Sequence, residues 1–419
     1  MARKRKSLRR RQTAPQQTNE TLNASVTVFD RMAQWIDDNI PPRALTGTLI
    51  FLCIAVAIYR VELTTQIMHS TTDTTRWLLT GIYVIKLGLA SAGQSLQELN
   101  PELTWVEWGE LPWNYPVIPL LFFTLISKLW ASLFFAKLSL TLLEAVNAYL
   151  VYRFTGNRWL GLLYWMWPIS LWWASHEGQF EPVQNFFVLL ALLLLARRPV
   201  WSLTMLAVAI QVKLTAGAFL PYFAYRIYKE HRQKMHWIAV GFVLGFIPTL
   251  IAGLFFPVVM PIVETLGTLD HNAWYWNWTS SIERGWPYYI RYPNQLVSYS
   301  MLAILLVSFV RFYFKRYDST QQPPALVTRR QQALECTPAI IFLLFAKTSS
   351  KFMGWYWMAL LPFLLIISNP RLRLLLIVMA FFIEVVGYMY LYNIVTPYVG
   401  DFYKNIGIYD DLGSLFNLY

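Results

Sequence analysis

Residues 133–198 read LFFAKLSLTLLEAVNAYLVYRFTGNRWLGLLYWMWPISLWWASHEGQFEPVQNFFVLLALLLLARR, and this stretch decides the fold. It contains three apolar runs. Arg153 and Arg158 lie between the first run and the second, and a pair of arginines follows the third. About 20 apolar residues cross the hydrocarbon core of a bilayer as a helix, and shorter runs cross where neighbouring helices shelter them. The stretch therefore predicts membrane-crossing helices that turn at basic loops.

The alternation of apolar runs and basic loops extends along most of the chain. Hydrophobic residues make up 56% of the 419 residues and charged residues only 14%, whereas soluble domains carry about 25% charged residues. Composition and run length predict an all-α fold, a polytopic transmembrane helical bundle of about 11 spans. The predicted spans cover residues 44–60, 133–152, 159–175, 183–196, 200–212, 215–228, 238–260, 296–314, 337–347, 352–368 and 374–395.

The basic residues are distributed unevenly, and their distribution orients the chain. They concentrate in the N-terminal tail and in alternate loops, so the positive-inside rule places the N-terminus in the cytoplasm. The chain divides into a basic tail with an interfacial helix (1–43), a transmembrane domain (44–395) and an outward tail (396–419). The net charge of +12 comes from basic runs between apolar segments, and anionic lipid explains the basic tail, so we expect no nucleic-acid partner. The plasma membrane is favoured as the location of the protein, and the endoplasmic reticulum membrane is the alternative.

The first outward loop, about 61–132, contains further helical segments. One lies near 74–90, and an apolar one, WNYPVIPLLFFTLISKLW, lies at 113–130. The second is not counted as a span, because counting it would place the arginine loops outside and invert the charge bias. Its tryptophan, tyrosine and lysine residues suit a helix that lies along the membrane interface. We therefore predict interfacial helices in this loop.

Two charged residues stand close together in this outward loop. Asp73 in TTDTTRW follows the first span, and Arg76 lies three residues further on, which places both side chains on one face of a helix. A carboxylate at the membrane surface accepts a proton from a hydroxyl during group transfer. The structural alternative is that Asp73 caps the helix that it precedes.

Three further polar segments are assigned to the same side of the membrane. In HEGQFEP at 176–182, Gln179 and Glu181 are placed to hold a sugar or a divalent ion, unless the loop is merely solvated. Lys213, which is flanked by apolar sequence, either binds a lipid phosphate or extends its amine to the interface. Lys351 lies in KTSSKF, and a misplaced span boundary explains that segment equally well.

The ordered set of segments resembles the polyprenyl-phosphate-sugar-dependent glycosyltransferases of the GT-C fold, in particular the mannosyltransferases and the lipid A aminoarabinose transferases. The segments that carry this resemblance are DTTRW at 73–77, YP at 115–116, GQFEP at 178–182, Lys213 and KFMGWYWMALLPFLL at 351–365. The resemblance covers roughly residues 44 to 368, and the segments follow the order that the family shows. The resemblance implies a GT-C bundle with its active site on the extracytoplasmic face.

The resemblance also implies a reaction and its residues. The donor would be a sugar, with mannose favoured, on a polyprenyl phosphate, and the acceptor a lipid, a glycan or a protein. The implied roles are Asp73 as the catalytic base, Lys213, Arg76 and Lys351 for the donor phosphate, and Glu181, Gln179 and Tyr115 for the acceptor or sugar. No nucleotide sugar is expected, because no phosphate-binding Gly-rich loop occurs.

The cofactor and two other functions stay open at this point. Thr74 stands where the family has a second acid, which argues against a metal-bridged acidic pair, although a divalent metal is not ruled out. A transporter or lipid flippase would also use outward acids and intramembrane lysines, but with charges on both sides of a central cavity. A non-catalytic subunit of a glycosylation complex would keep the fold and lose the base.

Overall fold

A computed structural model describes residues 35–36, 38–65, 72–106, 109–256, 307, 329–350 and 354–381. These residues are mostly helical and contain no strand, which confirms the all-α class for the part of the chain that is described. The helices are α1 Pro42–Thr65, α2 Thr72–Leu87, α3 Leu96–Leu99, α4 Val117–Trp130, α5 Leu133–Thr155, α6 Arg158–Met166, α7 Pro168–Ser170, α8 Glu181–Leu194, α9 Pro199–Val212, α10 Leu220–His231, α11 Met235–Gly245, α12 Ile247–Ala252, α13 Arg329–Ser350 and α14 Gly354–Ile366. Residues 370–381 are helical as well.

Two of the described helices are long and apolar enough to cross a membrane. They are α1, with 24 residues, and α5, with 23 residues. In the most apolar window of α1 only 11% of the residues are buried, so this helix exposes apolar side chains that suit contact with lipid. The corresponding window of α5 is 50% buried, because other helices surround it. By length and composition both helices suit a helical membrane protein, whereas the count of about 11 spans stays a prediction.

The predicted span 159–175 is broken rather than continuous. It consists of α6, α7 and a π-helical turn at Leu171–His176. Pro168 lacks an amide hydrogen and disfavours helical geometry at the preceding residue, and Trp167 is accordingly extended, with φ −67° and ψ 130°. The span 215–228 is also modified, since its first residues form a 3₁₀ turn at Leu214–Phe219. The sequence located both segments but not their irregular geometry.

Two helices of the predicted outward loop, α2 and α4, lie against each other. Their buried side chains form one apolar cluster with residues of α5 and with Phe180, a residue of HEGQFEP. A second apolar cluster forms where α8 packs against α5, α9 and α14. Helix α8 begins within HEGQFEP, so this segment lies at the junction of the two clusters.

Several predicted features lie outside the described residues. These are most of the tail 1–43, the predicted outward residues 261–295, all of the span 296–314 except residue 307, the tail 396–419 and Lys351. Helix α4 begins at Val117 rather than near residue 113, because Pro116 precedes it as its N-cap residue. The other helix predicted in the outward loop, near 74–90, corresponds to α2.

Candidate functional site

Helix α2 begins against the HEGQFEP segment. The hydroxyl of Thr74 donates to the backbone oxygens of Glu177 and Gly178, at 2.9 and 3.0 Å. Gly178 has a positive φ of 75°, which reverses the chain between the π-helical turn and α8. Asp73 precedes Thr74 and lies half-buried in the first turn of α2, where the helix dipole favours a negative charge. The structure therefore brings Asp73 to the segment that contains Gln179 and Glu181.

Lys213 and Glu181 form an ion pair at the centre of this region. Glu181 is the first residue of α8 and is fully buried, and the Lys213 ammonium donates to its Oε1 oxygen. Lys213 follows the last residue of α9 with an extended backbone. Its ammonium also lies over the ring of Phe180, 4.9 Å from the ring centroid. The lysine predicted to bind a lipid phosphate thus has a carboxylate partner within the protein.

An aromatic cluster joins this ion pair to Tyr115 and Arg76. The ring of Phe180 contacts those of Trp77 and Tyr115, with centroids 4.5 and 5.3 Å apart. Arg76 is buried beside Trp77, and its Nη2 donates to the Asn114 side-chain oxygen at 2.6 Å. Arg76, Tyr115, Glu181 and Lys213 therefore belong to one continuous set of contacts, although 137 positions separate the first from the last in the sequence.

Two polar atoms in HEGQFEP are buried without a hydrogen-bond partner among the described residues. They are Nε2 of Gln179, a donor, and Oε2 of Glu181, an acceptor. Leaving such an atom unpaired costs about 1–3 kcal/mol, so each one calls for an explanation. A sugar hydroxyl both donates and accepts, and it matches this pair of atoms.

Lys137 is a candidate residue that the sequence interpretation missed. It lies in α5 and is fully buried. A Cβ atom added to Gly178 would lie 3.2 Å from Cγ of Lys137, so the lysine stem runs beside the turn at Gly178. The sequence does indicate a buried polar face here, because Lys137, Thr141 and Glu144 follow one another at helical spacing within an apolar run.

A buried polar network also escaped the sequence interpretation. Arg60, near the end of α1, is fully buried and donates to the hydroxyls of Ser170 and Ser175 at 2.8 and 2.9 Å. Glu144 accepts hydrogen bonds from Tyr164 at 2.7 Å and from the Ser170 hydroxyl. The network holds the broken helix that leads into HEGQFEP, so it fixes the start of the candidate site.

No group of three or more His, Cys, Asp or Glu side chains that could hold a metal ion occurs among the described residues. His176 and Glu177 do contact each other, with Nδ1 and Oε1 2.8 Å apart. The His176 ring stacks on Trp172 at a centroid distance of 4.0 Å. These contacts give both polar residues partners within the protein.

The sequence matches the model of glycosyltransferase family 87 over residues 113–334, which is more than half of the chain. The fold and the match together define a glycosyltransferase of GT-C-like kind. The chain belongs to glycosyltransferase family 87 and is an enzyme, a glycosyltransferase. The match includes Tyr115, Gln179, Glu181 and Lys213, and Asp73, Arg76 and Lys351 lie outside it. No curated protein and no solved structure gave a match.

Proposed function

We propose that this glycosyltransferase moves a sugar, with mannose favoured, from a polyprenyl-phosphate donor to a lipid, glycan or protein acceptor on the extracytoplasmic face. The reaction would invert the anomeric carbon. The observation that carries the proposal is the environment of Arg76, a buried cation whose neighbour Trp77 packs on Phe180, between Gln179 and Glu181 in the chain. Family membership gives the glycosyltransferase class, and the donor class, the site residues and the side of the membrane are proposed here.

The partners of Arg76 favour an anionic ligand. Among the described residues its guanidinium bonds only to neutral oxygens, those of the Asn114 side chain at 2.6 Å and the Pro112 backbone at 3.5 Å. A buried charge is costly unless it is paired, and a guanidinium suits the geometry of a phosphate. The charge of Lys213, in contrast, is already compensated by Glu181. Arg76 is therefore the better candidate for the donor phosphate, with Lys213 and Lys351 as further candidates.

Asp73 is proposed as the catalytic base. The acceptor hydroxyl oxygen would attack the anomeric carbon while Asp73 takes up the hydroxyl proton. The bond from the anomeric carbon to the phosphate oxygen would break, and the polyprenyl phosphate would leave with the bonding electrons. Arg76 would stabilise the negative charge that develops on this phosphate. Attack opposite to the leaving group gives the inverted product.

Gln179, Glu181 and Tyr115 are proposed to hold the acceptor or the transferred sugar. The free Nε2 of Gln179 and Oε2 of Glu181 offer one donor and one acceptor to a hydroxyl group. Tyr115 belongs to the aromatic cluster around Phe180, and aromatic faces stack on the apolar faces of sugars. No metal is required by these roles.

The role of Arg76 is tested by donor binding. Purified wild type, Arg76→Gln and Arg153→Gln are titrated with radiolabelled polyprenyl-phosphate mannose in detergent, and the bound label is counted. Loss of a charged hydrogen bond costs about 1.5–3 kcal/mol, so Arg76→Gln should bind at least tenfold more weakly. Arg153 is exposed at the far end of α5, so Arg153→Gln should bind as the wild type does. Equal binding by wild type and Arg76→Gln would contradict the proposed phosphate site.

A further inference from the structure

A groove lies on the surface between α1, α5 and α6. Its volume is about 380 Å³, within the range of about 300–1,000 Å³ that small-molecule sites occupy. Ala145, Ala148 and Gly161 are among its lining residues. Gly161 allows α6 to approach α5, since a Cβ there would lie only 2.9 Å from the backbone oxygen of Ala148. These small side chains leave room for a ligand along the seam between the helices.

The groove opens on the surface that suits contact with lipid. Cys53 and Tyr149 line it and are exposed, and the neighbouring α1 residues Phe51 and Ile54 are exposed as well, at 69% and 53%. Helix α1 is long and apolar enough to cross a membrane, and a surface of this kind is normally covered by hydrocarbon. An apolar chain from the bilayer can therefore enter the groove from the side.

One end of the groove is basic. Arg158 is the charged side chain among the described residues that line it. Arg153 lies next to it, where its Nη1 donates to the Tyr149 hydroxyl at 3.1 Å. Both arginines lie at the end of α5 opposite to Lys137, where the chain passes into α6. An apolar seam with a guanidinium at one end complements a ligand with a hydrocarbon chain and an anionic phosphate.

We propose that this groove binds an anionic phospholipid, with an acyl chain along Ala145, Ala148 and Gly161 and the phosphate at Arg158. The site is separate from the candidate active site and does not depend on the proposed donor. An anionic headgroup is favoured over a zwitterionic one, because Arg158 lines this end of the groove and Arg153 lies beside it on Tyr149. The lipid is a stabilising ligand of the seam between α1, α5 and α6.

Cys53 provides a probe of this site that the chain already contains. The chain has two cysteines, and Cys336 is fully buried whereas Cys53 is exposed in the groove. The rate of Cys53 alkylation by N-ethylmaleimide is measured by intact mass in delipidated detergent micelles, with added phosphatidylglycerol or phosphatidylcholine. Phosphatidylglycerol should slow the alkylation at least fivefold at a concentration where phosphatidylcholine has little effect.

Two variants test whether the basic end of the groove causes the preference for phosphatidylglycerol. Arg158→Gln should abolish the preference for phosphatidylglycerol and leave the rate without lipid unchanged. Arg197→Gln, an exposed arginine outside the groove, should keep the preference. Equal protection by both lipids, no protection by either, or a preference that survives in Arg158→Gln would overturn the proposal.

A second measurement separates the phospholipid from the sugar donor. Native mass spectrometry of the purified protein should show phosphatidylglycerol retained by the wild type and lost from Ala145→Trp, whose indole fills the exposed side of the groove. Stronger protection of Cys53 by polyprenyl phosphate than by phosphatidylglycerol would assign the groove to the donor and contradict the proposal. If the sugar donor did not bind at Arg76, the expected binding of phosphatidylglycerol in the groove would be unchanged.

Discussion

At the scale of single residues, the capacity of the site to bind an anion depends on which of its charged side chains are already compensated within the protein. Lys213 is paired with Glu181, and Arg76 bonds to neutral oxygens. A phosphate that approached Lys213 would compete with a fully buried carboxylate, whereas at Arg76 it would meet no described competitor. The two cations therefore differ in their capacity to bind an anion.

The Arg60–Glu144 network leads to a prediction about stability. Arg60 donates to the Ser170 hydroxyl, which donates to the buried Glu144, so Arg60→Met removes the cation from this network. Hydrogen bonds to charged groups contribute about 1.5–3 kcal/mol each. The apparent Tm in detergent, followed by tryptophan fluorescence, should fall by several degrees. In the double variant Arg60→Met, Glu144→Leu the loss should be smaller than the sum of the single losses. Additive losses would mean that the two residues act independently.

The sequence identifies charged residues within apolar segments more easily than it identifies their partners. Lys213 stands out as a lysine in apolar sequence, and a buried lysine needs a partner. Its partner Glu181 lies 32 positions away, and only the packing of α8 against α9 brings the two together. Arg60 was assigned to the end of the first span, and its burial follows from contacts with the π-helical turn at Leu171–His176.

At the scale of elements, the turn at Gly178 connects the broken helix to α8. A Cβ atom there would lie 3.0 Å from the Thr74 hydroxyl oxygen, and φ is 75°. Gly178→Ala should therefore displace the start of α2, which carries Asp73, besides costing about 1–2 kcal/mol of backbone strain. We expect sugar transfer to fall at least tenfold.

Gly156 offers a matched control for this substitution. It has φ 70°, and a Cβ atom there would meet nothing within 4 Å. Gly156→Ala thus carries the same kind of strain without a collision, and it should retain most of the transfer activity. If Gly156→Ala lost as much activity as Gly178→Ala, strain alone would account for both, and the contact with Thr74 would have no special role.

The helices were predicted from the sequence more accurately than the breaks between them. The runs 133–152 and 200–212 correspond closely to α5 and α9, because apolar length and flanking arginines define such helices. The break at Pro168 was missed, because the apolar run continues through it without a charged residue. A proline within a run indicates a break or a kink, and it was the signal available here.

At the scale of the whole molecule, the predicted topology places Asp73 and HEGQFEP on the side opposite to most of the basic residues. Gln94 is exposed in the first outward loop, and Arg197 is exposed in a predicted cytoplasmic loop. In a Cys53→Ser background, Gln94→Cys should react with a membrane-impermeant maleimide on intact cells. Arg197→Cys should react only after the membrane is dissolved. The reverse pattern would invert the topology and move the active site to the cytoplasmic face.

The central claim, glycosyl transfer with Asp73 as the base, is tested most directly by an assay of the purified protein. Wild type and Asp73→Asn are incubated with radiolabelled polyprenyl-phosphate mannose and with membrane lipids as the acceptor, and labelled products are separated. We expect a new labelled product with the wild type and a loss of at least a hundredfold in Asp73→Asn, since general-base catalysis contributes about 10²–10⁴-fold. Equal transfer by both proteins would contradict the role of Asp73, and no transfer by either would contradict the proposed donor.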